Sequence, residues 1–230
     1  MQYRVPSTTA LTPGSDSRRA SAFTGVLLLL SLTLAGCGTT AVQVTSGDFP
    51  APVVDPMPLQ LGVHFTDEFR GFRLEESVPQ RGDWAIDIGV AQVNMLMAVL
   101  PGMFERVVEV DSIEPGQIPN SLHAVRVPEV KEMQFAIPFQ TRSNFFEVWI
   151  RYEMRLLEPS GDVIASWPVT AYGKTRSLML ETAEAAIRDA AINALRDAGA
   201  FLAIGFPRQE ELRPWLEREL AAFDASPRGE

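Results

Sequence analysis

The sequence predicts an α+β fold of two layers, in which a mostly antiparallel sheet carries a long Ala-rich helix and a second helix on one face. Apolar and polar residues alternate without a break from residue 145 to residue 157, which is typical of a half-buried strand. A strong turn signal follows at 158–162, and residues 163–170 return as a paired strand. Residues 181–202 are dense in Ala, which favours a helix.

Short strands and one helix are predicted before this hairpin. Alternation predicts strands at 59–65, 84–88, 106–110, 122–127 and 131–139, and segment 66–80 is a ragged hairpin or a loop with one short strand. A helix is predicted over 89–100, with an apolar face of Val90, Val93, Leu96, Met97 and Leu100. Pro101-Gly102 should end it, and Pro138 predicts a sheet edge or a strand exit.

The long strand has two chemically different faces. One face is apolar and consists of Phe146, Val148, Ile150, Tyr152, Met154 and Leu156. The other consists of Glu147, Trp149, Arg151, Glu153 and Arg155. The helix after the hairpin has a stripe of small and apolar residues that should lie close on the sheet, namely Ala183, Ile187, Ala190, Ala194 and Phe201. Gly205 and Pro207 should end it, before a terminal helix over 210–223.

The chain divides into four parts by composition. Residues 1–36 read as a cleaved signal peptide, because Arg18 and Arg19 precede an uncharged apolar run that is too short to span a bilayer. Residues 37–58 hold several prolines and predict a tether. The α+β domain is expected over 59–207, and the terminal helix and tail over 208–230.

The apolar run ends in Leu34-Ala35-Gly36-Cys37, which resembles the bacterial lipoprotein box. The resemblance implies that the chain is cut before Cys37 and that this cysteine carries lipid, with palmitate as a typical acyl group. Two or three chains would hold the protein in the bilayer essentially permanently, since each buried CH₂ contributes about 0.8 kcal/mol. Gly38 rather than Asp follows the cysteine. By resemblance to the enterobacterial sorting rule, this favours the outer membrane with the domain facing the periplasm.

Charge and cysteine content exclude several classes of protein. The chain has a net charge of −9, and removing a leader with Arg4, Arg18, Arg19 and Asp16 brings it to −11. Such an acidic protein should repel nucleic acid. Cys37 is the single cysteine, so a monomer has no internal disulfide. No second apolar run reaches membrane-spanning length.

No catalytic motif is visible, so we expect no enzyme, cofactor or metal. Glycine elbows, phosphate loops and zinc-binding motifs are absent from the sequence. The two histidines, His64 and His123, are too few for a zinc site without carboxylates from separate strands. A serine hydrolase that pairs Ser143 or Ser166 with His123 has no supporting pattern.

Trp149 is the most informative candidate for partner binding. It lies on the polar face of the best strand between Glu147 and Arg151, and Trp and Arg are enriched at binding hot spots. The alternative is that the terminal helix covers it, through Trp215. A second candidate patch is the aromatic group near Pro138 and Arg142, with the core as its alternative; its members are Phe135, Phe139, Phe145 and Phe146.

The element order over 59–203 resembles the periplasmic domains of accessory lipoproteins, such as the curli-secretion lipoprotein, the penicillin-binding-protein activators and the N-terminal domain of the Tol–Pal translocation protein. This resemblance implies binding of a partner. The expected function is therefore an outer-membrane-anchored accessory component that binds another envelope protein or a glycan. A carrier of an apolar ligand such as lipid is the alternative, because the interior is rich in Met and Phe. A periplasmic hydrolase is the third.

Overall fold

The computed structural model describes residues 38–225, which form eight strands and five helices. The strands are β1 (Thr40–Gln43), β2 (Met57–Val63), β3 (Arg73–Val78), β4 (Gly82–Asp87), β5 (Phe104–Glu109), β6 (Ala124–Ala136), β7 (Phe145–Leu157) and β8 (Val163–Arg176). The helices are α1 (Asp67–Arg70), α2 (Gly89–Val99), α3 (Pro138–Thr141), α4 (Ala183–Gly205) and α5 (Arg213–Ala225). The predicted α+β class is confirmed. None of the helices in residues 38–225 is long and apolar enough to cross a membrane.

The larger sheet has five strands in the order β5-β2-β6-β7-β8. Strand β7 covers the predicted range and pairs antiparallel with β6 and β8. Strand β2 instead pairs parallel with both of its neighbours. The sheet is therefore mixed, because β2 joins its neighbours through long connections rather than through a hairpin.

A smaller sheet of three strands has the order β1-β4-β3 and replaces the single sheet that the sequence predicts. Strands β3 and β4 form an antiparallel hairpin, and β1 pairs parallel with β4. Strand β1 lies within the segment predicted as a tether. Its Val42 and the following Val44 are buried, so this part of the segment belongs to the folded domain. The alternation of Val42 and Val44 is too short to stand out among small polar residues.

Strand β6 joins two predicted strands, 122–127 and 131–139, into one. A bulge between Val130 and Glu132 shifts the register against β7. Buried positions that face the main core are even-numbered before the bulge, as at Ala124, and odd-numbered after it, as at Phe135. Because the buried positions change from even to odd numbers, the sequence pattern predicted two strands where the structure has one. Pro138 starts the short helix α3, so the chain leaves the sheet there as predicted.

Helix α4 packs on β7 and β8, and it is the main cover of the inner sheet face. It begins at the N-cap Thr182, whose Oγ1 accepts a hydrogen bond from the N–H of Ala185 at 3.2 Å. Gly173 of β8 allows the close approach, because a Cβ there would lie 2.1 Å from the carbonyl oxygen of Ala190. The predicted stripe is buried at its centre, but Phe201 is 42% exposed and does not belong to it.

Helix α2 packs on the core with a wider face than the one predicted: Leu96 and Leu100 are buried, and Val93 and Met97 pack against the core partly buried. Val90 is 51% exposed, whereas Ala91, Gln92 and Met95 are buried. The helix lies between other elements, so apolar residues occur all around it and the narrow stripe is not diagnostic. Gln92 is fully buried and has partners: its Nε2 donates to the carbonyl oxygen of Phe69 at 2.5 Å, and its Oε1 accepts from the Tyr152 hydroxyl at 3.2 Å.

Two further segments complete the packing. After α4, the chain forms 3-10 turns at Phe206–Arg208 and Glu210–Leu212 and then α5, which buries Trp215 and Leu216 in the main core. The loop from residue 110 to residue 122 covers one end of the outer sheet face. It forms a small second core with the sheet, made of Val110, Ile118, Leu122, Val125, Val127 and Leu157.

Candidate binding surface

The exposed half of the outer sheet face carries an aromatic pair. Cross-strand register places Trp149 of β7 between Gln134 of β6 and Tyr172 of β8. Trp149 and Tyr172 are each 38% exposed, and their ring centroids lie 5.4 Å apart at 33°. Directly opposed aromatic residues stabilise a sheet and hold each other rigidly. The result is a flat apolar platform at a fixed position.

Charged groups border this platform. Arg151 forms an ion pair with Glu132, with Nη2 and Oε2 3.1 Å apart. Partial desolvation and the neighbouring Glu147 carboxylate, which accepts its hydrogen bond, raise the pKa of Tyr172 above its usual value. A groove of about 300 Å³ runs beside Trp149, lined by Glu132, Gln134, Trp149, Ile150, Arg151, Thr170 and Ala171. We call the set Gln134, Glu147, Trp149, Arg151 and Tyr172, in which Glu147 is half-buried and the others are exposed, the Trp149 surface.

The terminal helix does not cover the Trp149 surface. Trp215 is 3% exposed because it is buried in the main core. Helix α5, which carries it, packs against β2 and the 3-10 turns. The cover predicted as an alternative is therefore wrong. The three predicted partner-binding residues Glu147, Trp149 and Arg151 lie on one face, as their spacing requires.

Tyr172 is the member that the sequence prediction missed. The return strand was predicted to end at residue 170, whereas β8 continues to Arg176. Extending the hairpin register from the turn at 158–162 would have placed Ala171 opposite Trp149, because a register shift between Leu156 and Leu157 is what brings Tyr172 there instead. The continuation is hidden because Gly173 interrupts the pattern, and that glycine is needed for the crossing of α4.

The predicted aromatic patch does not form as a unit. Phe135 and Phe146 are buried in the core, while Phe139 is 51% exposed on α3. Leu34, Ala35, Gly36 and Cys37 lie outside the described residues, so the predicted lipidation site stays a prediction.

The histidines hydrogen-bond to the backbone. The Nδ1 of His64 lies 3.0 Å from the carbonyl oxygen of Val110, and the Nδ1 of His123 accepts from the N–H of Gln60 at 3.0 Å. Ser143 and Ser166 hydrogen-bond elsewhere. No cluster of three His, Cys, Asp or Glu residues in the described part of the chain has the arrangement of a metal site.

An apolar cleft of about 500 Å³ lies on another side of the domain. Residues 48–54 form one wall, and α2 and α4 form the others through Met95, Val99, Ala200 and Ile204. The Arg196 Nε donates to the carbonyl oxygen of Asp48 at 2.8 Å and fixes that wall to α4. The sequence could not reveal this cleft, because it depends on how the N-terminal segment crosses the helices.

Besides Gln92, Arg126 is fully buried and polar within residues 38–225. Its guanidinium lies 5.5 Å from the ring centroid of Trp167 and 4.8 Å from that of Phe206. None of its nitrogens has a hydrogen-bond partner among the described residues. Desolvation by burial lowers the pKa of Arg126 to about 9. The two aromatic faces compensate only part of that desolvation.

No family model matches the sequence, and no curated protein matches it. Solved structures match parts of the chain. A DUF330 protein from Xanthomonas campestris is 16% identical with a TM-score of 0.43, over 73% of this chain and 94% of that one. A candidate lipoprotein from Caulobacter crescentus is 18% identical with a TM-score of 0.28, over 46% and 72%. A homolog of the neuraminyllactose-binding hemagglutinin from Helicobacter pylori is 12% identical with a TM-score of 0.42, over 74% and 98%. Likenesses this distant carry no conclusion about function.

Proposed function

We propose that the protein is a lipid-anchored accessory component of the bacterial outer membrane, which binds another envelope protein or a glycan through the Trp149 surface. The observation that carries this proposal is the exposed Trp149–Tyr172 pair at the centre of an otherwise polar sheet face. The lipoprotein box at Cys37 supports the anchor, and Gly38 after it supports the outer membrane.

The geometry of the Trp149 surface suits recognition. Both aromatic side chains stand on paired strands, so little conformational entropy is lost when a partner binds. Their ring faces offer apolar contact, while Arg151, Gln134 and Glu147 offer hydrogen-bond donors and acceptors at the rim. A central aromatic contact with a polar rim is the usual anatomy of a binding hot spot. A peptide segment and a sugar ring both fit this chemistry.

The first experiment isolates the lipidated protein from native membranes and identifies the proteins and glycans that come with it. Trp149→Ala should lower the affinity for the partner at least about tenfold. This corresponds to about 1.4 kcal/mol of binding free energy, which is modest for a hot-spot tryptophan. The matched control is Phe201→Ala, since Phe201 is an aromatic residue of similar exposure on helix α4. Equal binding by both variants would refute the Trp149 surface as the partner site.

The anchor has its own test. Cys37→Ser should release the protein from membranes without changing its thermal unfolding, because Cys37 precedes the first residue of β1. If the variant stays with the membranes after a high-salt wash, lipidation at Cys37 is not what holds the protein there.

A second candidate function is the carriage of an apolar ligand such as a lipid chain. The apolar cleft favours it, since about 500 Å³ lies within the usual range for ligand sites. Ala200→Trp would fill the cleft from an exposed position of α4. Mass spectrometry of the gently purified protein should then show bound lipid in the parent and none in the variant. Lipid-free parent protein would eliminate the carrier.

A further inference from the structure

Three consecutive apolar side chains are exposed in the connection between β8 and α4. Leu178 is 60% exposed, Met179 is 98% exposed and Leu180 is 99% exposed. Single exposed apolar residues are common, but contiguous exposed apolar groups mark sites of interaction with proteins or membranes. We call Leu178–Leu180 the apolar loop.

The apolar loop stands beside other exposed apolar surface. Its entrance is held by the N–H of Ser177, which donates to the carbonyl oxygen of Asn144 at 2.8 Å. Ser177, just before the loop, and Ala183, at the start of α4, line a cleft of about 390 Å³ together with Phe139. Phe139 is itself 51% exposed. The cleft therefore places exposed Phe139 near the two segments that flank the loop.

The same end of the domain receives the N-terminal segment. Trp84 lines the cleft beside Phe139, and Thr40 is the direct neighbour of Trp84 in the pairing of β1 with β4. Cys37 precedes Thr40 by three residues, a stretch that spans at most about 11 Å. A lipid on Cys37 would therefore hold this end of the domain within a short distance of the bilayer.

Basic residues lie on β8 just before the apolar loop, at the end of α3 and at the cleft, although the protein is acidic. Arg81, Arg142, Lys174 and Arg176 are exposed, and none of them forms an ion pair within the described residues. The Arg81 guanidinium lies 4.5 Å from the ring centroid of Phe139, and the Lys174 ammonium lies 5.1 Å from that of Phe145. Long basic side chains at the rim of an apolar surface reach toward lipid phosphates.

Acidic residues are also present at this end. Glu181 and Glu184 follow the loop and are half-buried, and Asp83 accepts a hydrogen bond from Ser77 at 2.6 Å. Exposed Glu75 and Glu76 line a further cleft together with Asp83, beside Thr39 and Trp84. Met179 and Leu180 are almost fully exposed. The carboxylates limit the attraction to anionic lipid, so apolar insertion and the Cys37 lipid must supply the attachment.

We propose that the apolar loop inserts into the lipid bilayer and seats this end of the domain on the membrane. This inference rests on the proposed lipid anchor, which brings the loop to the bilayer. Strand β8 then runs away from the membrane from Arg176 to Val163, over about 43 Å at 3.3 Å per residue. The Trp149 surface lies between these ends, at the side of the domain, where it is open to a partner in the periplasm.

The experiment uses the full lipidated protein in vesicles of phosphatidylethanolamine and phosphatidylglycerol. Lipidation leaves the thiol of Cys37 blocked, so Met179→Cys supplies one free thiol for an environment-sensitive fluorophore. The matched control is Val163→Cys, at the far end of β8 and 61% exposed. Emission from the fluorophore at residue 179 should shift to shorter wavelength when the protein is on the vesicles. In vesicles with brominated acyl chains, this emission should lose most of its intensity. Emission from residue 163 should do neither.

The outcomes separate the loop from the anchor. Vesicle-bound protein in which residue 179 reports an aqueous environment overturns the inference and leaves the anchor intact. Protein that a high-salt wash removes from the vesicles overturns both. Shielding of residue 179 in native membranes but not in pure lipid also overturns it, since the loop would then contact a protein.

Discussion

The two faces of strand β7 are built on the same backbone and behave differently. Ile150 and Tyr152 on the inner face are 1% and 0% exposed. Trp149, between Val148 and Ile150 in sequence, is 38% exposed on the outer face. Both faces share the same ladder of hydrogen bonds to β6 and β8. What separates them is the cover, because α4 lies over the inner face and the outer face is open around Trp149.

The outer face of the sheet is covered at one end and exposed at the other. At one end, the loop of residues 110–122 buries Val127 and Leu157 in the second core. At the other end, Trp149 and Tyr172 have no such cover and carry a groove beside them. The apolar residues at one end of this face are covered, whereas the aromatic pair at the other end is left exposed, as is typical of an interaction site.

The largest expected effect is on the inner face. Ile150→Ala should lower the free energy of unfolding by about 2–5 kcal/mol, because it leaves a cavity in a close-packed core. Urea unfolding followed by circular dichroism measures this. Trp149→Ala, one position away, should cost less than about 1 kcal/mol. If the two variants lose similar stability, Trp149 is a core residue and the contrast between the faces fails.

Arg126 tests whether the inner face is a purely apolar core. Arg126→Met should raise the free energy of unfolding by about 1–3 kcal/mol, since it removes a buried charge without a hydrogen-bond partner and keeps most of the volume. Thermal unfolding at pH 7 measures it, with Arg151→Met on the outer face as a control that should change little. A destabilised Arg126→Met would mean that the guanidinium has a favourable role in the native state.

The same substitution has a distinct pH dependence. Burial lowers the pKa of Arg126 to about 9 from the usual 12.5, so above pH 9 the native state binds fewer protons than the unfolded state. Parent stability then rises with pH relative to Arg126→Met, and the advantage of the variant should shrink between about pH 9 and pH 12. Unfolding of both proteins across that range would show it. A constant difference contradicts the lowered pKa.

A smaller effect is expected from the buried hydrogen bond between α2 and β7. Tyr152→Phe removes the hydroxyl that donates to Gln92 Oε1 and leaves that oxygen without this donor. The expected loss is about 1–2 kcal/mol in the free energy of unfolding. Tyr172→Phe on the outer face is the matched control and should change stability little. Equal losses would show that Tyr172 is as constrained as Tyr152.

The smallest effect is expected from the ion pair of the outer face. Arg151→Ala breaks the contact with Glu132, in which both side chains are about half exposed. The loss should be less than about 0.5 kcal/mol and should fade in high salt, because exposed ion pairs are screened. Denaturant unfolding at low and high salt measures this. A larger loss of unfolding free energy that salt does not change would show that the aliphatic part of the Arg151 side chain contributes packing rather than charge.

The sequence predicted the fold best where local patterns were strong. Strand β7 was predicted to the residue, and the faces of Ile150 and Trp149 followed from its period of two. Helix α4 was predicted from its Ala content and from Gly205 and Pro207, which end it. The prediction was weakest at β1 and β6, where the pattern is four residues long or changes parity at a bulge.

The candidate site was predicted in part. Glu147, Trp149 and Arg151 share a face because they alternate along one strand. Tyr172 was missed because its strand was ended too early. The apolar cleft and the isolation of Arg126 could not be predicted, since neither follows from neighbours in sequence.

By itself, the sequence determined the α+β class, the long hairpin and which side chains share a face, because these follow from backbone periodicity and from turn and helix propensities. It also supplied the lipoprotein box. Only the tertiary structure decided the split into two sheets, the parallel pairs of β2, the cover over one face of β7 and the grouping of the apolar loop with Phe139 and the N-terminal segment. These features depend on contacts between distant segments, and several arrangements of such contacts are compatible with the same local pattern.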